Sequence, residues 1–241
     1  MLDMINAIEL SEEFPVTINL NGEKLVTLMC TPTDLRELAI GHLINTGVVN
    51  SFSDIMTVAA CEDLRQIYVM AENVTDRRYT LGDIYGTGCG STLDFPEEIS
   101  QLAIGECDVL LNFRRIKTAF ERMYQDAEKY KRHGGIHASA ILYKKDIVTM
   151  EDVARHNTHD KVVGYAAYRG WDLSKSTIIT TGRISTDMVL KAARAGVPII
   201  CSRSNPTSLA VDLGFKLGIT LVGRAASGNA TVFTHKDRIM M

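Results

Sequence analysis

Short runs of alternating apolar and polar side chains fill the first quarter of the chain, a pattern typical of β-strands. Two of these runs, residues 14–20 and 23–29, are separated by Asn21-Gly22. This dipeptide accepts the left-handed backbone angles of a two-residue turn, so the pattern predicts a β-hairpin. Two further short strands are predicted at residues 55–60 and 66–70.

A helix is predicted between these two pairs of strands. Thr31 provides a capping hydroxyl, Pro32 suits the first helical position, and Asp34 favours the positive end of the helix dipole. Apolar side chains then recur at helical spacing until Gly47. His42 lies on the apolar face and is interpreted as a packed residue rather than a ligand.

A longer amphipathic helix is predicted over residues 113–130. Its charged side chains form a solvated face, and its apolar side chains recur every three to four positions. The apolar stripe comprises Phe113, Ile116, Phe120, Met123, Ala127 and Tyr130. We interpret this stripe as core that packs on a sheet, not as a cofactor contact.

The last third of the chain has the clearest periodicity. Residues 176–180, 197–201 and 219–222 are predicted strands, and two helices that end at Gly196 and Gly218 lie between them. This β-α-β-α-β order favours a parallel sheet. The pattern therefore indicates an α/β fold with a small N-terminal β-rich part. We divide it into residues 1–110 and 111–241, which can also form one continuous domain.

Composition narrows the functional classes. The 241 residues carry a net charge of −3 without a basic block, which argues against nucleic acid as a partner. No basic segment precedes an apolar run at the N-terminus, and no apolar stretch is long enough to span a bilayer. The expectation is a cytoplasmic protein without a membrane partner.

Cys89 differs from the other four cysteines. It lies between Gly88 and Gly90 with hydroxyl residues on both sides, whereas the others lie in or beside apolar runs. An exposed thiol among free backbone N–H groups favours the reactive thiolate. A tight glycine turn with an incidental cysteine is the alternative interpretation.

Two polar turns follow predicted strands and lead into helices. Gly182, Arg183 and Ser185 belong to the first turn, and Arg203 and Asn205 to the second. Ligands of open α/β sheets bind beyond the carboxyl ends of the strands, where helix N-termini and arginines suit phosphate. Plain helix capping would use the same serines and glycines.

The histidines raise a different hypothesis. His137, His156 and His159, with Asp152 or Asp160, could bind a metal ion and activate water. The segment lacks the glutamate of the HExxH motif, and His137 is distant in sequence. Hydrogen-bonded pocket or capping residues are the favoured interpretation, and no metal is predicted.

Several motifs in a fixed order resemble the FdhD/NarQ family of formate dehydrogenase accessory sulfurtransferases. The strongest is Glu151-Asp152…Arg155-His156-Asn157…Asp160-Lys161, which resembles the family's EDxxRHNAxDK signature. Gly134-Gly135…His137-Ala138, Thr181-Gly182-Arg183 and Ala195-Gly196-Val197-Pro198-Ile199 also match. The resemblance covers most of the chain.

The resemblance implies a cytidine-deaminase-like three-layer fold, with a mixed sheet flanked by helices. It also implies that Cys89 accepts persulfide sulfur from a cysteine desulfurase. The sulfur would pass to a molybdenum bis(molybdopterin guanine dinucleotide) cofactor for formate dehydrogenase, and a homodimer is expected. The residues expected to bind this cofactor are His137, Asp152, Arg155, His156, Asn157, Asp160, Lys161, Gly182, Arg183, Ser185, Arg203, Asn205, Arg224, Ala225, Ala226, Ser227, Gly228 and Asn229.

Two positions depart from the family pattern. Thr92 stands where a second loop cysteine is usual, and Arg224 stands where an aromatic residue is usual. Without a second thiol the loop has no intramolecular disulfide route, although Cys89 can still carry sulfur alone. The alternative function is a non-catalytic chaperone that binds the molybdenum cofactor for formate dehydrogenase.

Overall fold

The computed structural model describes residues 10–61, 63–75, 97–105, 107 and 109–240. The strands are β1 (Phe14–Leu20), β2 (Glu23–Cys30), β3 (Ile55–Cys61), β4 (Gln66–Ala71), β5 (Leu111–Asn112), β6 (His137–Tyr143), β7 (Asp146–Asp152), β8 (Ser176–Thr180), β9 (Ile199–Ser202), β10 (Thr220–Gly223), β11 (Thr231–Val232) and β12 (Ile239–Met240). The helices are α1 (Leu35–Thr46), α2 (Glu97–Ser100), α3 (Phe113–Asp126), α4 (Glu128–His133), α5 (Arg155–Tyr168), α6 (Thr186–Ala195) and α7 (Ser208–Lys216).

The N-terminal strands form a four-stranded sheet in the order β2-β1-β4-β3. The predicted hairpin is confirmed, because β1 and β2 pair antiparallel from Phe14 opposite Cys30 to Leu20 opposite Glu23. Asn21 and Gly22 join them with φ angles of 51° and 89°, as the turn requires. β1 also pairs parallel with β4, which places the hairpin in the middle and at one edge of the sheet.

A six-stranded mixed sheet, in the order β11-β10-β9-β8-β6-β7, forms the larger half. β8, β9 and β10 are parallel and are connected by α6 and α7, so the predicted β-α-β-α-β unit is confirmed. β6 lies antiparallel to both β7 and β8, and β11 lies antiparallel to β10. The fold is therefore mixed α/β, and the cytidine-deaminase-like detail stays a prediction.

Helices α1 and α5 bring the two sheets together. A β-carbon on Gly41 would lie 1.8 Å from the carbonyl oxygen of Asp160, and one on Gly164 would lie 1.9 Å from that of Glu37. Glycine at both positions therefore lets the two helix backbones touch. The largest group of contacting buried side chains extends from Val16 in β1 to Leu221 in β10. The division into residues 1–110 and 111–241 stays a prediction.

Two predicted helix features are wrong. α1 begins at Leu35 rather than after Thr31, because Asp34 is the N-cap residue and adopts a left-handed conformation. The predicted helix over residues 113–130 is broken at Ala127, whose φ and ψ of −79° and 78° are not helical. It therefore forms α3 and the separate short helix α4.

Across the described ranges, every helix is too short or too polar to cross a bilayer.

Candidate functional site

The loop that carries Cys89 lies outside the described residues, as do Arg77 and Arg78. The assignment of Cys89 as sulfur carrier stays a prediction. The residues predicted to bind the cofactor and the other four cysteines lie within the described residues.

A pocket of about 560 Å³ opens beside the carboxyl ends of β9 and β10. Four of the predicted cofactor-binding residues line it, together with two tyrosines. The lining residues are Tyr124, Tyr130, Arg203, Arg224, Ala226 and Ser227. Tertiary structure thus brings the turn after β9 and the segment after β10 to one cavity, as the position of ligands in open α/β sheets leads one to expect.

Backbone hydrogen bonds hold the two arginine-bearing segments against each other. The Arg224 N–H donates to the Ser204 carbonyl at 3.1 Å, and the Ala225 N–H donates to the Ser202 carbonyl at 2.8 Å. Arg224 has a φ of 49°, an uncommon left-handed conformation for a residue with a side chain. The chain therefore turns sharply after β10, and both guanidinium groups reach the same pocket.

The opposite wall is aromatic. The rings of Tyr124 and Tyr130 stack with their centroids 6.1 Å apart and an angle of 23° between their planes. Arg203 Nη1 donates to the Tyr130 hydroxyl at 2.5 Å. Burial raises the pKa of Tyr124, against the opposing effect of the nearby Arg203 charge, so this phenol is neutral at physiological pH. An aromatic face beside two arginines suits a planar base that carries phosphate.

The sequence did not predict Tyr124 and Tyr130 as residues of the site. Tyr130 is half-buried and packs against the core cluster that includes Phe120 and Met123, as predicted, but it also forms part of the pocket wall, which was not predicted. Tyr124 lies outside the predicted stripe altogether. The only available signal was a pair of tyrosines six positions apart near a helix end.

A second polar cluster lies where α5 and α6 begin. Arg155 packs on Gly182, where an added β-carbon would approach the Arg155 β-carbon to 2.8 Å. Arg155 Nε and Ser185 Oγ are buried without a hydrogen-bond partner, as is one carboxylate oxygen of Asp187. Ser185 is the N-cap residue of α6, but its side chain makes no capping hydrogen bond. These free polar atoms leave the cluster able to accept a polar ligand.

His137 and His156 border this cluster. Burial lowers the pKa of His137, and the Arg155 charge lowers it further against the opposing effect of Asp152. Burial also lowers the pKa of His156, followed by the charges of Lys191 and Arg155. Both imidazoles are therefore neutral at physiological pH and can accept a hydrogen bond.

Asp152 and Lys161 form a buried ion pair instead of lining the pocket. Lys161 Nζ lies 2.7 Å from Asp152 Oδ2, and both side chains have no exposed surface. Lys161 also donates to the carbonyls of Thr31 and Glu151, each at 3.1 Å. Asp152 accepts from the Thr31 N–H at 3.1 Å and from Asn157 Nδ2 at 2.9 Å. This group joins the end of the hairpin to the start of α5.

Asp160 is likewise buried among protein partners. It lies 2.6 Å from Lys191 Nζ, 3.3 Å from His42 Nδ1 and 2.6 Å from Asn45 Nδ2. Lys191 and His42 together lower the pKa of this carboxyl strongly, although burial acts in the opposite direction. Asp152, Asn157, Asp160 and Lys161 take no part in the wall of the pocket, so their placement does not support direct cofactor contact.

The other predicted residues are on the surface or in the core. Arg183, Asn205, Gly228 and Asn229 are exposed. Ala225 is buried, and its backbone rather than its side chain holds the segment in place.

The histidines do not meet as a metal site in the described part of the chain, where no three histidine, cysteine or acidic side chains converge. His159 Nδ1 instead lies 3.3 Å from Asn45 Nδ2 inside the core. Its placement does not support the metal-hydrolase hypothesis.

Four cysteines fall within the described residues, and all are free thiols. Cys30 and Cys201 are buried. Burial raises the pKa of Cys30 to about 12, with a further contribution from the Asp152 charge, and raises that of Cys201 even more. Neither thiol forms an appreciable thiolate at neutral pH. Cys61 and Cys107 are partly exposed.

The FdhD/NarQ family model matches residues 11–240. The chain belongs to the FdhD/NarQ family. Two relatives named sulfur carrier protein FdhD, from Bacillus subtilis and Geobacillus kaustophilus, are each 32% identical to it. The first alignment covers 94% of this chain and 88% of the relative, and the second covers 97% and 90%.

A solved structure has a similar fold. The crystal structure of a putative formate dehydrogenase accessory protein from Desulfotalea psychrophila superposes with a TM-score of 0.79 at 29% sequence identity. The superposition covers 97% of this chain and 91% of the other. The FdhD/NarQ assignment therefore rests on both sequence and fold.

Proposed function

We propose that this chain is a sulfur carrier that serves formate dehydrogenase. It takes sulfur from a cysteine desulfurase as a persulfide on Cys89 and passes it to molybdenum bis(molybdopterin guanine dinucleotide), which is its cargo. The proposal includes action in the cytoplasm and as a homodimer. The names of its relatives, sulfur carrier protein FdhD and formate dehydrogenase accessory protein, support the role.

The observation that carries the proposal is the pocket beside β9 and β10. Arg203 and Arg224 provide two permanent positive charges, and Tyr124 provides a neutral aromatic face. A guanine nucleotide has both a planar base and phosphates, so it matches the two walls. Arg224 replaces the aromatic residue usual in the family, and Tyr124 and Tyr130 offer aromatic surface in the same pocket.

The first sulfur-transfer step needs only a reactive thiolate. The Cys89 thiolate attacks the terminal sulfur of the desulfurase persulfide, a new sulfur–sulfur bond forms, and the desulfurase cysteine leaves as a thiolate. No external oxidant is required. Raised pKa values argue against Cys30 and Cys201 in this role.

Intact-mass analysis after incubation with a cysteine desulfurase and cysteine tests the carrier role. We expect a gain of one sulfur atom that maps to Cys89 and disappears in Cys89→Ala. Cys61→Ala and Cys107→Ala are matched controls, because these two thiols are also partly exposed. We expect both variants to gain the sulfur atom as the wild type does.

Cys89→Ala also separates the carrier from the chaperone alternative. The variant should still bind GDP, a soluble fragment of the cargo, but should not restore activity to sulfur-deficient formate dehydrogenase. Full restoration by this variant would disprove the persulfide mechanism and favour a non-catalytic chaperone.

A further inference from the structure

Glu151 precedes the buried Asp152 in the chain, and its carboxylate contacts the helix α4. Oε1 accepts the Tyr130 N–H at 2.6 Å, and Oε2 accepts the Lys129 N–H at 3.2 Å. Both donors belong to the first turn of α4, whose own N-cap, Ala127, provides no side-chain hydrogen bond. A carboxylate from β7 thus satisfies two of the free N–H groups that begin this helix.

The helix that Glu151 holds carries one wall of the pocket. Tyr130 stacks on Tyr124, and its hydroxyl accepts from Arg203 Nη1. Fixing the Tyr130 backbone therefore fixes the ring, and the ring directs the Arg203 guanidinium. Glu151 itself is not part of the pocket lining.

Glu151 is well placed to act as a rigid anchor. It pairs with Ala138 in the β6–β7 ladder, and its carbonyl accepts from the buried Lys161 Nζ at 3.1 Å. The next residue, Asp152, is held by the ion pair with Lys161. Movement of Glu151 would therefore disturb strand pairing as well as the buried ion pair.

We infer that Glu151 is a positioning residue for the nucleotide pocket and acts through Tyr130 and Arg203. The inference rests on the proposed function, since it concerns binding of the cargo's guanine nucleotide end. Because Glu151 is negatively charged, the direction of the change in GDP affinity on its removal distinguishes a positioning role from a purely electrostatic effect. Removing a negative charge near an anionic ligand strengthens binding by electrostatics alone, whereas losing the anchor weakens it.

The test is GDP affinity, measured by calorimetry at fixed ionic strength on the full chain. Glu151→Ala should weaken GDP binding about tenfold, the scale expected when a charge-assisted hydrogen bond that orders a binding group is lost. Glu151→Gln keeps an acceptor for the Tyr130 N–H and should stay within about threefold of the wild type. Glu128→Ala removes an exposed acid from the same helix turn and should not weaken binding.

A double variant asks whether the effect passes through Tyr130. In a Tyr130→Ala background, the Glu151→Ala change should cause no further loss of GDP affinity, because residues that act through one another are not additive. Amide hydrogen exchange of the segment 128–133 gives a readout that does not need GDP. Exchange there should accelerate in Glu151→Ala and remain slow in Glu128→Ala.

The outcomes separate the two proposals. Absence of GDP binding by the wild type would overturn the proposed function and the inference with it. GDP binding by Glu151→Ala that is as tight as that of the wild type or tighter, or fully additive losses in the double variant, would overturn the positioning role alone. If Glu151→Ala does not fold, Glu151→Asp replaces it in the wild-type and Tyr130→Ala backgrounds, because the shorter side chain keeps the charge but withdraws its oxygens from the Lys129 and Tyr130 N–H groups.

Discussion

Individual side chains in this protein divide into those that face the pocket and those that hold the fold, and the division does not follow the sequence motif. Within Glu151-Asp152…Arg155-His156-Asn157…Asp160-Lys161, four members are buried and paired within the protein. Arg155 and His156 retain partial exposure at the start of α5. A buried ion pair does not by itself stabilise strongly, but removing one partner leaves an uncompensated charge. The motif therefore leaves Arg155 and His156 partly exposed, while its four buried members hold the start of α5 against the rest of the fold.

Arg203 is the residue whose role in binding can be tested most directly. Arg203→Ala should weaken GDP binding about tenfold, since a charge-assisted contact to phosphate is lost. The side chain is exposed, so the thermal midpoint should change little. Calorimetry with GDP and a melting curve measure the two effects.

The control is Arg169→Ala, which removes an exposed arginine after α5 that does not line the pocket. Unchanged affinity in Arg203→Ala would remove this pocket from the proposed function.

At the scale of elements, the contact between α1 and α5 connects the hairpin sheet with the site. The two helices approach so closely that glycine is required on both, at Gly41 and Gly164. α5 also carries Arg155 and His156 in its first turn and Lys161 in its second. A shift of α5 would therefore move the polar cluster beside Gly182.

Gly164→Ala should destabilise the protein, because its methyl group would overlap the Glu37 carbonyl and neither backbone can yield. Overpacking of this kind costs about 1–3 kcal/mol of unfolding free energy, and a backbone contact lies at the upper end. Urea unfolding measures the loss. Gly105→Ala is the matched control, since nothing lies within 4 Å of the added carbon. Equal stability of the two variants would show that the helices are not in backbone contact.

Over the whole molecule, the buried polar groups make stability depend on pH. Burial, opposed by the Asp160 charge and assisted by the Lys191 and His156 charges, lowers the pKa of His159 to about 3. An unfolded histidine titrates near about 6.5. Between these values the unfolded chain binds a proton that the folded chain does not, so unfolding is favoured as the pH falls. Asp160 contributes to this loss of stability only below about pH 4, the pKa of an unfolded aspartate, because its pKa in the folded chain is lowered.

We therefore expect the free energy of unfolding to decrease from about pH 6.5 downward, by at most about 1.4 kcal/mol per pH unit for one group. Urea unfolding at a series of pH values measures this slope. His159→Gln removes one titrating group and should flatten the profile between pH 6.5 and the carboxyl range. Identical slopes in the wild type and in His159→Gln would contradict a buried neutral His159.

Local patterns were sufficient to predict much of the fold. Asn21-Gly22 determined the hairpin turn, because few residues other than glycine and asparagine accept its backbone angles. Strand and helix periodicity determined the parallel β8-β9-β10 unit, because its apolar faces must be buried on both sides. The same logic failed at Thr31, whose hydroxyl accepts from the Val153 N–H instead of capping a helix and whose backbone bonds to Asp152 and Lys161, all more than a hundred residues away. Local propensity cannot anticipate a long-range partner.

The sequence by itself determined most of the strands and helices, the mixed α/β class and the family, and it placed Arg203 and Arg224 among the expected cofactor-binding residues. Only the tertiary structure decided which members of the EDxxRHNxxDK motif are buried in ion pairs and hydrogen bonds and which stay accessible, because that depends on what packs against each side chain. It also decided that Tyr124 and Tyr130 form a pocket wall, since Tyr130 follows the break at Ala127 and its N–H is held by Glu151. Periodicity reports which residues share a face, but a ligand site is made where faces from distant segments converge.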